Sequence, residues 1–295
     1  MSGPRAPVPA VLDGLEPLAG REPLIDVHAH FLHDGCGRAD WRDVNLARLR
    51  AGERIGISCH VASILGSFGF TSPTYFPSPA DVSRGNMEML AIQGAEGARV
   101  RTYVTVNPNE PRQALDEIAR GVRGGAVGVK LAASRRADDV LVDDIAREAG
   151  RRGWPVLHHI WQHRRRDWPG QEASDGVELS RLAARHPSTH FILAHIGGGG
   201  DYAHTFPAVR AQANVHLDLS GSGVDRGMLD QAVAAVGTRR MLWGSDLTME
   251  TGLAKLRALE VIGLSPDELA DIRWRNAVRL FPPGAFPSVP AAGVA

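Results

Sequence analysis

The sequence predicts a single-domain α/β protein, a TIM-type (β/α)8 barrel. Short β-rich runs alternate with segments of helical periodicity along most of the chain, and eight such runs can be counted. Successive strand starts lie roughly 25 to 45 residues apart, which suits a strand, a crossover helix and two loops. The length of 295 residues accommodates one barrel of about 250 residues with tails. An open doubly wound sheet uses the same alternation, and the count of eight favours closure.

The strand runs, in order, are residues 24–30, 55–65, 100–107, 126–131, 154–159, 189–195, 214–220 and 240–246. The second follows a helix-like stretch ending near Gly52. The third alternates Tyr103, Val104, Thr105 and Val106 before Pro108 stops it, and the fifth carries Pro155 near its start, where a missing N–H costs least. Helical spacing of apolar residues appears over 83–97, 110–123, 138–152, 176–186, 202–212 and 226–236, and again over 266–280 after the last strand. Residues 1–23, rich in Pro, Gly and Ala, read as a flexible tail, 24–281 as the barrel, and 282–295 as an apolar, unpatterned tail.

Composition narrows the function classes. Lys plus Arg equals Asp plus Glu at 33 each, with no basic stripe to neutralise a phosphate backbone, so no nucleic-acid partner is expected. Cys36 and Cys59 are too few for a disulfide framework and fit a reduced, cytoplasmic protein. The start of the chain lacks a positively charged segment followed by a long apolar run, so neither signal peptide nor membrane span is expected.

The histidines, 12 in all, direct attention to the strand ends, where barrel active sites are assembled. In Leu24-Ile25-Asp26-Val27-His28-Ala29-His30, residues two apart share a face, so His28 and His30 point together and form half of a metal site. The fifth run ends in His158-His159, of which alternation lets one face the interior. His159, the more terminal, is chosen, although a strand-end bulge would swap them. His195 ends the sixth run just before Gly197-Gly198-Gly199-Gly200, a backbone without side chains to obstruct a ligand. Asp246 ends the eighth run. A carboxylate there is costly unless it meets a metal or hydrogen-bond donors, and it could serve as ligand and general base together. Each residue also has a plainer reading: a hydrogen-bonded core histidine for His195, a helix N-cap for Asp246.

These motifs, together with Gly128-Val129-Lys130-Leu131, Ile192-Leu193-Ala194-His195-Ile196-Gly197-Gly198, Trp243-Gly244-Ser245-Asp246 and Asn276-Ala277-Val278-Arg279-Leu280-Phe281, resemble the amidohydrolase superfamily. The resemblance is to the amidohydrolase-related branch that includes aminocarboxymuconate-semialdehyde decarboxylase, and it runs from Ile25 to about Phe281. It implies one divalent ion, zinc foremost with manganese or iron as alternatives, bound by His28, His30, His159 and Asp246, with His195 beside it to polarise the substrate. Binuclear relatives bridge two ions with a carboxylated lysine, and Lys130 occupies a comparable place. Such a lysine could instead anchor a substrate carboxylate or snorkel outward. Relatives commonly form homodimers.

A metal-bound water acidified to a pKa of about 7 makes hydrolysis of a small amide, ester or lactone the first expectation, with Asp246 steering the water and His195 stabilising the attacked oxygen. Non-oxidative decarboxylation of an unsaturated or aromatic carboxylic acid uses the same constellation and is the alternative. A non-catalytic barrel acting as a binding module is the third reading. Loops after the strands set specificity: Phe70, in the aromatic-rich segment 66–76, suits a pocket wall, and Trp161 with Arg164 suits an anionic small-molecule substrate.

Overall fold

Each of eight strands pairs in parallel with the next in sequence. They are β1 (Leu24–Phe31), β2 (Ile57–Ile64), β3 (Val100–Val106), β4 (Gly128–Leu131), β5 (Val156–His159), β6 (Phe191–Ala194), β7 (Val215–Asp218) and β8 (Met241–Leu242). The barrel closes between the last strand region and the first: Val27 N–H donates to the Trp243 carbonyl at 3.1 Å, Asp246 N–H donates to the His28 carbonyl at 2.6 Å, and Ala29 bridges Asp246 in parallel. This is the expected TIM barrel. The computed structural model describes residues 22–64, 77–160, 174–196, 202–221, 226–246 and 249–289.

Helices alternate with the strands: α1 (Trp41–Ile55), α2 (Pro79–Glu96), α3 (Pro111–Arg123), α4 (Asp143–Arg151), α5 (Gly176–Arg185), α6 (Tyr202–Arg210), α7 (Arg226–Val236) and α8 (Met249–Val261). The final stretch is α9 (Pro266–Ala270) and α10 (Asn276–Leu280), joined by a π-helical turn over Asp271–Arg275. Among the described residues no helix is long and apolar enough to cross a membrane. Local chemistry explains several boundaries. Ser78 and Asp81 form a capping box with Pro79 at the first turn of α2, so that helix starts ahead of the expected residue 83. Helix α1 runs past Gly52 to Ile55 and stops at Gly56, whose φ is 87°. Gly52 serves packing instead, since a Cβ there would come within 2.6 Å of His60 Nε2.

Two strands depart from simple alternation, and both shape the site. In β8 only Met241 and Leu242 are in the ladder, because the next amides find other partners: Trp243 N–H donates to the Ile272 carbonyl and Ser245 N–H to the Asp26 carboxylate. In β1 the pairing with β2 slips between Asp26 and Ala29. Ile25 and Val27 belong to the interior group with Val61, Leu157, Ile192 and Leu242, whereas Ala29 and Phe31 pack outward with Leu49 and Met89. The slip is what puts His28 and His30 on the interior side.

The larger apolar layer lies between strands and helices, with Val104, Val129, Val156, Leu193, Leu217 and Trp243 facing it. The barrel floor is closed by Trp274, Phe281 and Phe286, with the Phe281 and Phe286 rings 5.4 Å apart. The start of the expected C-terminal tail is therefore packed. Cys36 and Cys59 are both buried and unbridged.

Candidate metal centre

The interior side of the upper strands gathers His28 and His30 from β1, Lys130 from β4, His159 from β5, and His195 and Asp246 from just beyond β6 and β8. His28 Nε2 lies 3.1 Å from His30 Nε2. Asp246 Oδ1 lies 3.3 Å from His30 Nε2 and 3.8 Å from His28 Nε2, and its Oδ2 lies 3.3 Å from His195 Nε2. The His195 ring stacks on His28 with centroids 5.2 Å apart and meets the His159 ring edge-on at 4.6 Å. His28, His195 and Asp246 each offer a ligand atom within 4.8 Å of the others.

Hydrogen bonding around the imidazoles shows what this cluster is suited to hold. His28 Nδ1 faces the Asp218 carboxylate at 2.6 Å, so its proton sits on that nitrogen and its Nε2 presents a lone pair. His30 Nδ1 faces the Ser63 carbonyl at 3.4 Å, with the Ser63 hydroxyl at 3.1 Å, which likewise leaves a lone pair on Nε2. Two lone pairs 3.1 Å apart repel unless positive charge stands close to them, and without an ion the Lys130 ammonium, 3.0 Å from His28 Nε2, supplies part of it. Donors sharing one ion at about 2.1 Å are necessarily about 3 to 4 Å apart, and the spacings among His28, His30 and Asp246 fall in that range. These three, with His195 close by, fit a divalent ion.

Electrostatics agree. Burial, the largest cause in each case, pulls His28 and His159 well below the usual imidazole range and lowers His30 and His195, so all four are held neutral, the ligating form. Burial pushes the Asp246 carboxyl up, but the direction of its shift is well below the usual carboxylate range, because any proton the cluster takes up settles on an imidazole, His195 first, rather than on the carboxylate. Lys130 Nζ donates to His28 Nε2 at 3.0 Å, and burial takes its ammonium down to about 8 against the opposing pull of Asp246 and Asp218.

Of the two adjacent histidines, His159 is the one beside His195, while His158 turns to the other side of β5 and its Nε2 pairs with Ser174 Oγ at 2.9 Å. His33 Nδ1 accepts from Gly35 N–H at 2.9 Å and so caps its own turn. Phe70, Trp161 and Arg164 lie outside the described residues.

Sequence reading passed over six contributors. Asp218, at the end of β7, orients His28, and Ser220 Oγ supports it by donating to Asp218 Oδ2 at 2.6 Å. Ser63 orients His30. Asp26 and His60 pair beneath the β1 slip at 2.8 Å, and Arg48 Nη1 donates to the Asp246 carbonyl at 2.7 Å. The signal for Asp218 and Asp26 was present: each is a carboxylate inside an apolar strand, which burial permits only with donors around it.

A cleft of about 650 Å³ opens at the opposite end of the barrel, lined by Gln93, Arg101, Val127 and Pro282 among others. Its polar groups are spent internally, since Gln93 donates to the Gly124 and Gly125 carbonyls and Arg101 Nε to that of Ala285. The histidine cluster is the stronger candidate for chemistry.

A closed barrel with a histidine and aspartate donor cluster at its carboxyl end defines the class of metal-site TIM-barrel enzymes. The amidohydrolase family model matches residues 25–282, and the chain belongs to that family. No curated protein matches significantly by sequence. Among solved structures, a 2,6-dihydroxybenzoate decarboxylase complexed with 2,6-dihydroxybenzoate superposes with a TM-score of 0.69 at 16% identity, covering 88% of this chain and 98% of its own. The dihydroxybenzoic acid decarboxylase of Polaromonas sp. JS666, with bound manganese and the inhibitor 2-nitroresorcinol, gives 0.66 at 17% identity over 88% and 97%. The 5-carboxyvanillate decarboxylase of Sphingomonas paucimobilis gives 0.67 at 17% identity over 88% and 99%.

Proposed function

We propose that this amidohydrolase-family enzyme is a carboxy-lyase, releasing carbon dioxide without oxidation from a small aromatic or unsaturated carboxylic acid. One divalent ion, zinc or manganese, would be held by His28, His30, His159 and Asp246. Bound there, it would supply positive charge against a substrate carboxylate or phenolate oxygen. The observation that carries the reading is the Lys130 ammonium buried against His28 inside the same cluster. When the His28 lone pair is committed to the ion, the Lys130 N–H donors are left for an anionic substrate group, and a buried cation needs such a partner. The names of the superposed structures, decarboxylases of hydroxylated benzoates, agree with that chemistry.

The chain's own groups then handle one proton. His195 Nε2, with Asp246 Oδ2 3.3 Å away to stabilise the imidazolium, takes one proton from solvent and delivers it to the carbon that bears the carboxylate. The bond from that carbon to the carboxylate breaks, its electron pair returns to the ring, and carbon dioxide leaves. The proposal takes Arg164 as a clamp on the substrate anion and Phe70 and Trp161 as aromatic wall, from residue type and position in sequence.

Hydrolysis of an amide, ester or lactone is the second reading, favoured by one feature: Asp246 divides its oxygens between His30 and His195, as a group that is both ligand and base would. Incubating the metal-loaded enzyme with hydroxylated benzoates and unsaturated acids, and measuring carbon dioxide, separates the two. Carbon dioxide release with no turnover of amides, esters or lactones is expected, and hydrolytic turnover without release would overturn the lyase proposal.

A further inference from the structure

We propose that Asp26 is a positioning residue for the metal donors: its buried carboxylate fixes the slip in β1 that turns His28 and His30 inward and holds the Ser245–Asp246 corner against that strand. The inference rests on reading His28, His30 and Asp246 as metal ligands, and concerns what places them.

Asp26 is fully buried, and its two oxygens are saturated. Oδ1 accepts from His28 N–H at 3.1 Å and from Ser245 N–H at 2.9 Å. Oδ2 accepts from Ser245 Oγ at 2.5 Å and faces His60 Nδ1 at 2.8 Å. A carboxylate offers about four lone-pair sites, and each has a partner. The partners come from three places: β1 itself, β2, and the segment after β8. One side chain therefore ties together the strands on both sides of the barrel's closing seam.

The consequence for the donors follows from alternation. Ile25 and Val27 face the interior, so unbroken alternation would send His28 and His30 toward the helices. The slip between Asp26 and Ala29 reverses this, and the amide that Asp26 holds is that of His28, inside the slip. On the other side of the seam Asp246 adopts φ of 54°, a left-handed conformation uncommon outside glycine that costs energy unless its surroundings impose it. Asp26 grips the preceding residue by both amide and hydroxyl, Asp246 N–H donates to the His28 carbonyl at 2.6 Å, and Arg48 holds the Asp246 carbonyl. The two ligand-bearing segments are thus set against each other through one carboxylate.

The test uses the full chain and manganese as probe. Asp26→Asn keeps size but replaces one acceptor oxygen with a donor group among donors. The dissociation constant for Mn2+ is measured by competition with a chelating dye, and the visible spectrum of the Co2+-loaded protein is recorded alongside. We expect at least 10-fold weaker Mn2+ binding, the scale on which groups that orient ligands act, and a changed Co2+ spectrum. Ile118→Val, a core change on α3, is the control for lost stability alone and should move neither. Should Asp26→Asn fail to fold, Ser245→Ala removes the hydroxyl arm and should weaken binding several-fold. Wild-type affinity and spectrum in whichever variant folds would overturn the proposal. A wild-type protein that binds no Mn2+ would overturn the ligand reading beneath it, a different and recognisable result.

Discussion

At the scale of single residues, the site is a set of neutral imidazoles whose lone pairs have been aimed by groups behind them. Asp218 turns the His28 proton away from the cluster and Ser63 does the same for His30, so the donors are pre-organised before any ligand arrives. The adjacent pair on β5 offers a clean contrast. His159→Ala should reduce metal affinity by at least 10-fold and abolish turnover, whereas His158→Ala, which empties a fully buried ring site and removes a hydrogen bond to Ser174 on the other face, should leave affinity within about twofold and cost about 2 to 4 kcal/mol of stability. Equal loss of metal in the two variants, measured by dye competition and thermal unfolding, would contradict the assignment of faces. That His28, His30, His159, His195 and Asp246 come together was legible because each lies at or near the end of a recognisable apolar run. Asp218 and Asp26 showed only as carboxylates inside apolar runs, and Ser63 not at all, because the partner that gives each its role lies on a strand far away in sequence.

At the scale of elements, each strand and helix answers to local rules where its partners are local. The capping box of Ser78 and Asp81 and the glycine stop at Gly56 are written in adjacent residues. The shortness of β8 and the slip in β1 depend on Ile272 and Asp26 capturing amides across the seam, and sequence periodicity carries no trace of that. The lower end of β6 and β7 yields a pH prediction. His216 on β7 faces His190 at 3.2 Å, and burial, with added repulsion from His190 and Arg240, pulls its pKa down to about 3. The folded state therefore refuses a proton that the unfolded chain accepts below about pH 6.5. Stability should be flat on this account above that pH and fall between about 6.5 and 3, by at most about 1.4 kcal/mol per pH unit. Urea unfolding of His216→Gln should show a shallower acid slope than the wild type, and identical slopes would remove His216 as the cause.

At the scale of the molecule, a barrel needs no long-range design to be recognised: eight local β/α units, each with its own apolar face, have few ways to close. That is why the order of strands and the end that carries the site could be read from residue patterns, and why the family match over residues 25–282 agrees with them. The reaction is less legible, because the same histidine and aspartate cluster suits hydrolysis and decarboxylation alike, and Phe70, Trp161 and Arg164 lie outside the described residues. A single divalent-metal site at the carboxyl end of the barrel fixes the metal content, which elemental analysis of protein purified without added metal measures. Close to one divalent ion per chain is expected in the wild type, with a near-complete loss in folded His28→Ala and Asp246→Asn. A folded wild type with almost no metal, or variants that retain a full complement, would contradict it.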